Sequence, residues 1–90
     1  MDPKTDIQIF VSDEVAKGFY ATTSAVYHSQ NEFLIEFISN FPPKAIMGSR
    51  SILSPTHAKN LLAILQHNVE LYEKNNGPIP TPHNPKQEMN

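Results

Sequence analysis

SPTHAKNLLAILQHNVELYEKNNGP, residues 54–78, decides the fold. Ser54 is a strong N-cap, because its hydroxyl can accept a bond from one of the orphan N–H groups of a first helical turn. Pro55 follows at the first helical position, where its missing N–H costs nothing. Gly77 suits the left-handed exit of a helix, and Pro78 cannot continue one. The spacing therefore predicts a helix over 55–76. Ala58, Leu61, Leu62, Leu65, Val69 and Tyr72 recur at the helical period, and Ile64 and Leu71 widen the stripe on one side. Lys59, Asn60, Gln66, His67, Glu70, Glu73 and Lys74 take the opposite arc, with Glu70 and Lys74 at i,i+4 spacing. An amphipathic helix of this length needs an apolar surface to lie on.

The segment before it supplies strands. In EFLIEFISNF, residues 32–41, Phe33, Ile35, Phe37 and Phe41 alternate onto one face, with Leu34, Glu36 and Ile38 on the other. That strand is apolar on both sides, and one helix covers only one face of a sheet. Pro42-Pro43 ends it, since proline has no ladder donor. A further strand is expected from Ala45 to Leu53, with Gly48 marking a bulge or a close approach. Upstream, the Thr- and aromatic-rich run from Phe19 to His28 reads as a strand, turned by Ser29-Gln30-Asn31. Ile7, Ile9 and Val11 alternate as another short strand. Between these two, Ser12 can cap a single helical turn through Asp13 and Glu14 that leaves at Gly18. The fold class expected is α+β: a meander-like antiparallel sheet of about four strands followed by one long C-terminal amphipathic helix. Residues 1–6 read as a flexible lead-in, 7–79 as one domain and 80–90 as a Pro-rich disordered tail.

Ninety residues with a formal charge of -2, from seven Lys and Arg against nine Asp and Glu, allow one domain with a modest core. The basic residues stand singly, which argues against the basic stripe of a dedicated nucleic-acid binder. Cysteine is absent, so disulfides, thiolate metal ligands and thiol nucleophiles are excluded. The start, MDPKTDIQ, lacks the basic and apolar regions of a signal peptide, and no apolar run is long enough to span a membrane. A cytoplasmic protein without membrane attachment is expected.

Candidate chemistry is sparse. His28, His57, His67 and His83 show no spacing that converges on a metal, so no metal and no cofactor is expected. Glu36 lies between apolar neighbours and reads as an edge or solvent-facing residue; buried, it would need Arg50, Lys17 or a tyrosine hydroxyl as partner. The serines lack a nucleophile elbow and the three glycines form no phosphate loop. Arg50, the only arginine, stands between Ser49 and Ser51 just before the helix. With His57 it is the candidate contact for an anion or a partner.

Gly18-Phe19-Tyr20-Ala21, Glu32-Phe33 with Phe37, and above all Arg50-Ser51-Ile52-Leu53-Ser54-Pro55-Thr56-His57-Ala58-Lys59 set a pattern. It runs on through Leu61, Leu62, Leu65 and Tyr72-Glu73 to Gly77. In that order and spacing the chain resembles the prokaryotic domain-of-unknown-function family 3467 over roughly residues 7–79. The resemblance implies a fold and transfers no catalytic residue. Members often carry Asn where this chain has Thr22 and Asp where it has Glu36, which puts in doubt any site built on those two positions.

The residues favour a small homo-oligomeric interaction or adaptor module without catalytic activity, a dimer above all, with room for an unidentified protein partner. Phe33, Ile35 and Phe37 are expected to meet the helix stripe within one chain. Leu34, Ile38, Ile64 and Leu71 are then left over as the oligomer interface. The alternation equally allows the reverse, with Leu34 and Ile38 inward and the phenylalanines at the interface. A nucleic-acid-binding or transcription-associated protein using a dimeric sheet ranks second, and a small enzyme is the remote third.

Overall fold

The computed structural model describes residues 7–80. The lead-in at 1–6 and the tail from residue 81 onward lie outside the described residues. The elements run α1 (Asp13–Lys17), β1 (Thr23–His28), β2 (Phe33–Phe41), β3 (Lys44–Leu53) and α2 (Pro55–Asn76). The strands form an open antiparallel meander in the order β1-β2-β3. This is the α+β class expected, with three strands in the described sheet.

The fourth expected strand, Ile7–Val11, does not form: the segment has no strand partner and its Ile9 and Phe10 are each 87% exposed. Alternation suits a strand, but only a neighbouring edge makes one. The single helical turn is present as α1, with Ser12 Oγ accepting from the Val15 N–H at 3.2 Å and Gly18 at φ 81°. The strand read from Phe19 starts instead at Thr23, because residues before it cross toward β3. There Phe19 lays its ring where a side chain at Gly48 would otherwise stand.

Gly48 is also the bulge. Phe37 pairs with Ser49 and Ile38 with Met47, so Gly48 is the unmatched residue of β3. Both roles expected for this glycine are filled at once. The β1–β2 hairpin closes with the Ser29 N–H donating to the Glu32 carbonyl at 2.9 Å, and with His28 stacked on Phe33 at 5.5 Å between ring centroids. The β2–β3 turn is Pro42-Pro43, whose peptide bond is cis.

Helix α2 has the expected bounds. Ser54 Oγ accepts from the His57 N–H at 3.1 Å and Pro55 opens the first turn. At the other end Gly77, at φ 87°, donates its N–H to the Glu73 carbonyl at 2.9 Å. Glu70 accepts from Gln66 at 3.3 Å, one turn back, rather than pairing with Lys74.

The packing departs from expectation. The helix stripe does not lie on Phe33, Ile35 and Phe37: no residue of α2 is buried, and only Ala58 and Glu73 are even half-buried. One residue, Ser54, separates β3 from α2, and it is extended at φ -68°, ψ 156°. Strand–helix connections that fold a helix back onto its sheet commonly use about 2–6 residues. With a shorter joint, α2 leaves the end of the sheet instead of returning across it. Only Ala25 and Glu36 are buried among the described residues.

Candidate functional site

Register assigns the sheet two faces. On one, Ile35 lies between Val26 and Ser51, with Phe33 and Phe37 above and below it on β2. On the other, Glu36 lies between Ala25 and Arg50, with Leu34 and Ile38 on either side. Helix α2 forms no covering layer on either face, and Phe19, ahead of β1, lies against Gly48 of β3.

The charged centre of the second face is the best-organised group in the molecule. Arg50 Nε donates to Glu36 Oε2 at 2.9 Å, and Nη2 stands 2.9 Å from the same oxygen in an ion pair. The Glu36 side chain is 10% exposed, while the Arg50 side chain is 57% exposed. Glu36 is therefore not the edge or solvent-facing residue expected. It is buried, with Arg50, the first of the partners named for that case. The pairing follows from register, since Glu36 and Arg50 are direct cross-strand neighbours. A charge-assisted bond reinforced by the ion pair supports the alignment of β2 and β3 beside the bulge.

Thr22 has comparable backbone work. Its N–H donates to the Ile38 carbonyl at 2.9 Å, and its hydroxyl accepts from the Asn40 N–H at 2.9 Å while donating to Ile38 O at 3.3 Å. It clips the end of β1 onto β2. An Asn side chain offers the same acceptor and donor, and an Asp at position 36 would offer Arg50 the same charge. Thr22 and Glu36 thus both have structural jobs.

The remaining candidates are dispersed. His57 gives its backbone N–H to Ser54 and is exposed in the first turn of α2, whereas Arg50 is mid-strand and held by Glu36. Nothing joins the two into one anion site. Leu34 and Ile38 are half-buried on the Glu36 face, and Ile64 and Leu71 are 51% and 45% exposed on the helix. Among the described residues, no three His, Asp or Glu side chains gather as metal ligands, and no obvious catalytic set converges. No helix there is long and apolar enough to cross a membrane.

What the fold does present is apolar surface. Leu62, Leu65 and Tyr72 on α2 are 65%, 59% and 53% exposed, and Ile52 and Tyr27 on the sheet are 64% and 51% exposed. An open groove of about 360 Å³ at the strand–helix joint is lined by Phe33, Pro55, Ala58, Lys59 and Leu62. Spare apolar surface is thus present as expected, but it includes the helix stripe expected to lie inside the chain.

A short antiparallel meander continued into a long, uncovered amphipathic helix defines the class of domain. Residues 1–81 match the family described as "Protein of unknown function (DUF3467)", and the chain belongs to that family. No curated protein matches the chain, and no solved structure matches it.

Proposed function

We propose that this protein is a small self-associating interaction module, working through surfaces rather than through chemistry. One observation carries the reading: the stripe of α2 is left exposed along its length, and on the sheet Tyr27, Phe37 and Ile52 stay 51%, 39% and 64% exposed in the single chain. Most helix stability in proteins comes from packing an amphipathic face, and a three-stranded sheet needs something against its apolar side. Monomers rarely leave contiguous apolar patches of this extent, and closed two-fold symmetry is the commonest way to cover them. Leu61, Leu62, Leu65, Val69 and Tyr72 of the stripe belong to the surface that association would cover. The lack of cysteine suits a cytoplasmic, reducing setting. Light scattering coupled to gel filtration tests the reading. The expected mass is at least twice the 10.1 kDa of one chain, and a folded species at 10.1 kDa would refute it.

A further inference from the structure

The self-association reading can be taken to a specific arrangement, which rests on it. We propose that α2 of each copy lies across the Val26, Phe33, Ile35 and Phe37 face of a second copy, so that the core of the protein exists only between chains.

The joint excludes the helix of the same chain. Ser54 alone links Leu53 to Pro55, so α2 runs off the end of β3 and only its first two turns approach Phe33. A helix arriving from another chain has no such restriction. The chosen face also suits an apolar stripe. Its centre, Ile35, has Val26 and Ser51 beside it, and the small Ser24, Ser49 and Ser51 flank the β2 ridge and let a helix approach. The opposite face has the Glu36–Arg50 pair at its centre, and an apolar stripe laid there would desolvate both charges.

Dimensions agree. The 22 residues of α2 extend about 33 Å, and the ten residues of β3 extend about the same. Three strands span two spacings of about 4.8 Å, close to the width of one helix. The contact is also large enough. Leu61, Leu62, Leu65, Val69 and Tyr72 from one copy meet Val26, Phe33, Ile35 and Phe37 of the other. None of these nine side chains is more than 65% exposed in the single chain, so covering them buries about 500–700 Å² per copy, at the lower end of the range centred on the ~800 Å² per partner typical of a stable interface. Each copy supplies one helix and one such face, so a pair of chains satisfies both and the assembly closes as a dimer.

The absence of cysteine makes the test clean. Ile35→Cys and Leu65→Cys chains, differently tagged, are unfolded, mixed, refolded together and treated with a short bis-maleimide. Val26→Cys mixed with Val69→Cys reads the same contact through milder changes. Ile35→Cys mixed with Glu70→Cys, on the polar arc of α2, is the control. A cross-linked heterodimer at least several-fold above control from either pair is the expected result. A species of dimer mass in which neither pair exceeds the control overturns the arrangement and leaves self-association standing. A folded wild-type monomer overturns both. In the wild-type protein, the helical circular-dichroism signal is expected to melt at a higher temperature as concentration rises about a hundredfold, since association stabilises by mass action. A midpoint independent of concentration also counts against an interchain core.

Discussion

Replacing Arg50 by methionine removes the guanidinium from Glu36 while keeping an unbranched stem that can still pack on the sheet. In the wild-type chain Oε2 of Glu36 accepts a 2.9 Å hydrogen bond from Arg50 Nε and lies 2.9 Å from Nη2, and the Glu36 side chain is only 10% exposed. Hydrogen bonds to charged groups contribute about 1.5–3 kcal/mol, and a buried carboxylate left alone adds a desolvation penalty. Two features pull the total down. Both contacts fall on one oxygen, and Arg50 is 57% exposed, so water can take over part of its role. The expected loss is about 2 kcal/mol, which for a domain of this size lowers the melting temperature by about 8–16 °C. Glu36→Gln added to Arg50→Met is expected to recover part of that loss, because a neutral amide is cheaper to bury than an unpaired carboxylate. The assay is thermal unfolding of the wild type, both single variants and the double variant at one fixed concentration, read as a double-mutant cycle. A loss below about 0.5 kcal/mol for Arg50→Met with no coupling to Glu36 would refute the reasoning, by showing that the pair does not hold β2 and β3 in register.

Two further substitutions probe local geometry. Ser54→Ala removes the acceptor of the His57 N–H and is expected to cost about 1 kcal/mol, seen as a lower melting temperature, while Ser54→Asp retains most of the stability. Gly48→Ala drives a methyl into the ring of Phe19 and is expected to cost about 1–3 kcal/mol in thermal unfolding; Phe19→Leu in the same chain should return part of it, and no such rescue would disconnect the two residues.

Local chemistry was legible in the residues. The bounds of α2 were readable because its cap, first-position proline and terminal glycine each act on the backbone within a turn of themselves. The β2 alternation and the Pro42-Pro43 stop are equally local. Gly48 was readable as an exception in its strand, although its two roles appeared only when Phe19 and the β2 register were in place.

Glu36 marks where such reading stops. Its neighbours made a solvent-facing position and a buried one with Arg50 both physically sensible, and only the cross-strand register joined them. Ile7–Val11 failed for a related reason: alternation states that a segment can be a strand, but hydrogen-bonding groups on another segment must be there to receive it. The placement of α2 was furthest out of reach. By itself the sequence determined that a long helix with an apolar stripe follows an apolar sheet, because periodicity is a property of one segment. That the stripe does not return to its own sheet was decided by tertiary structure. The direction of α2 depends on a single extended residue, Ser54, and on where the end of β3 points in space.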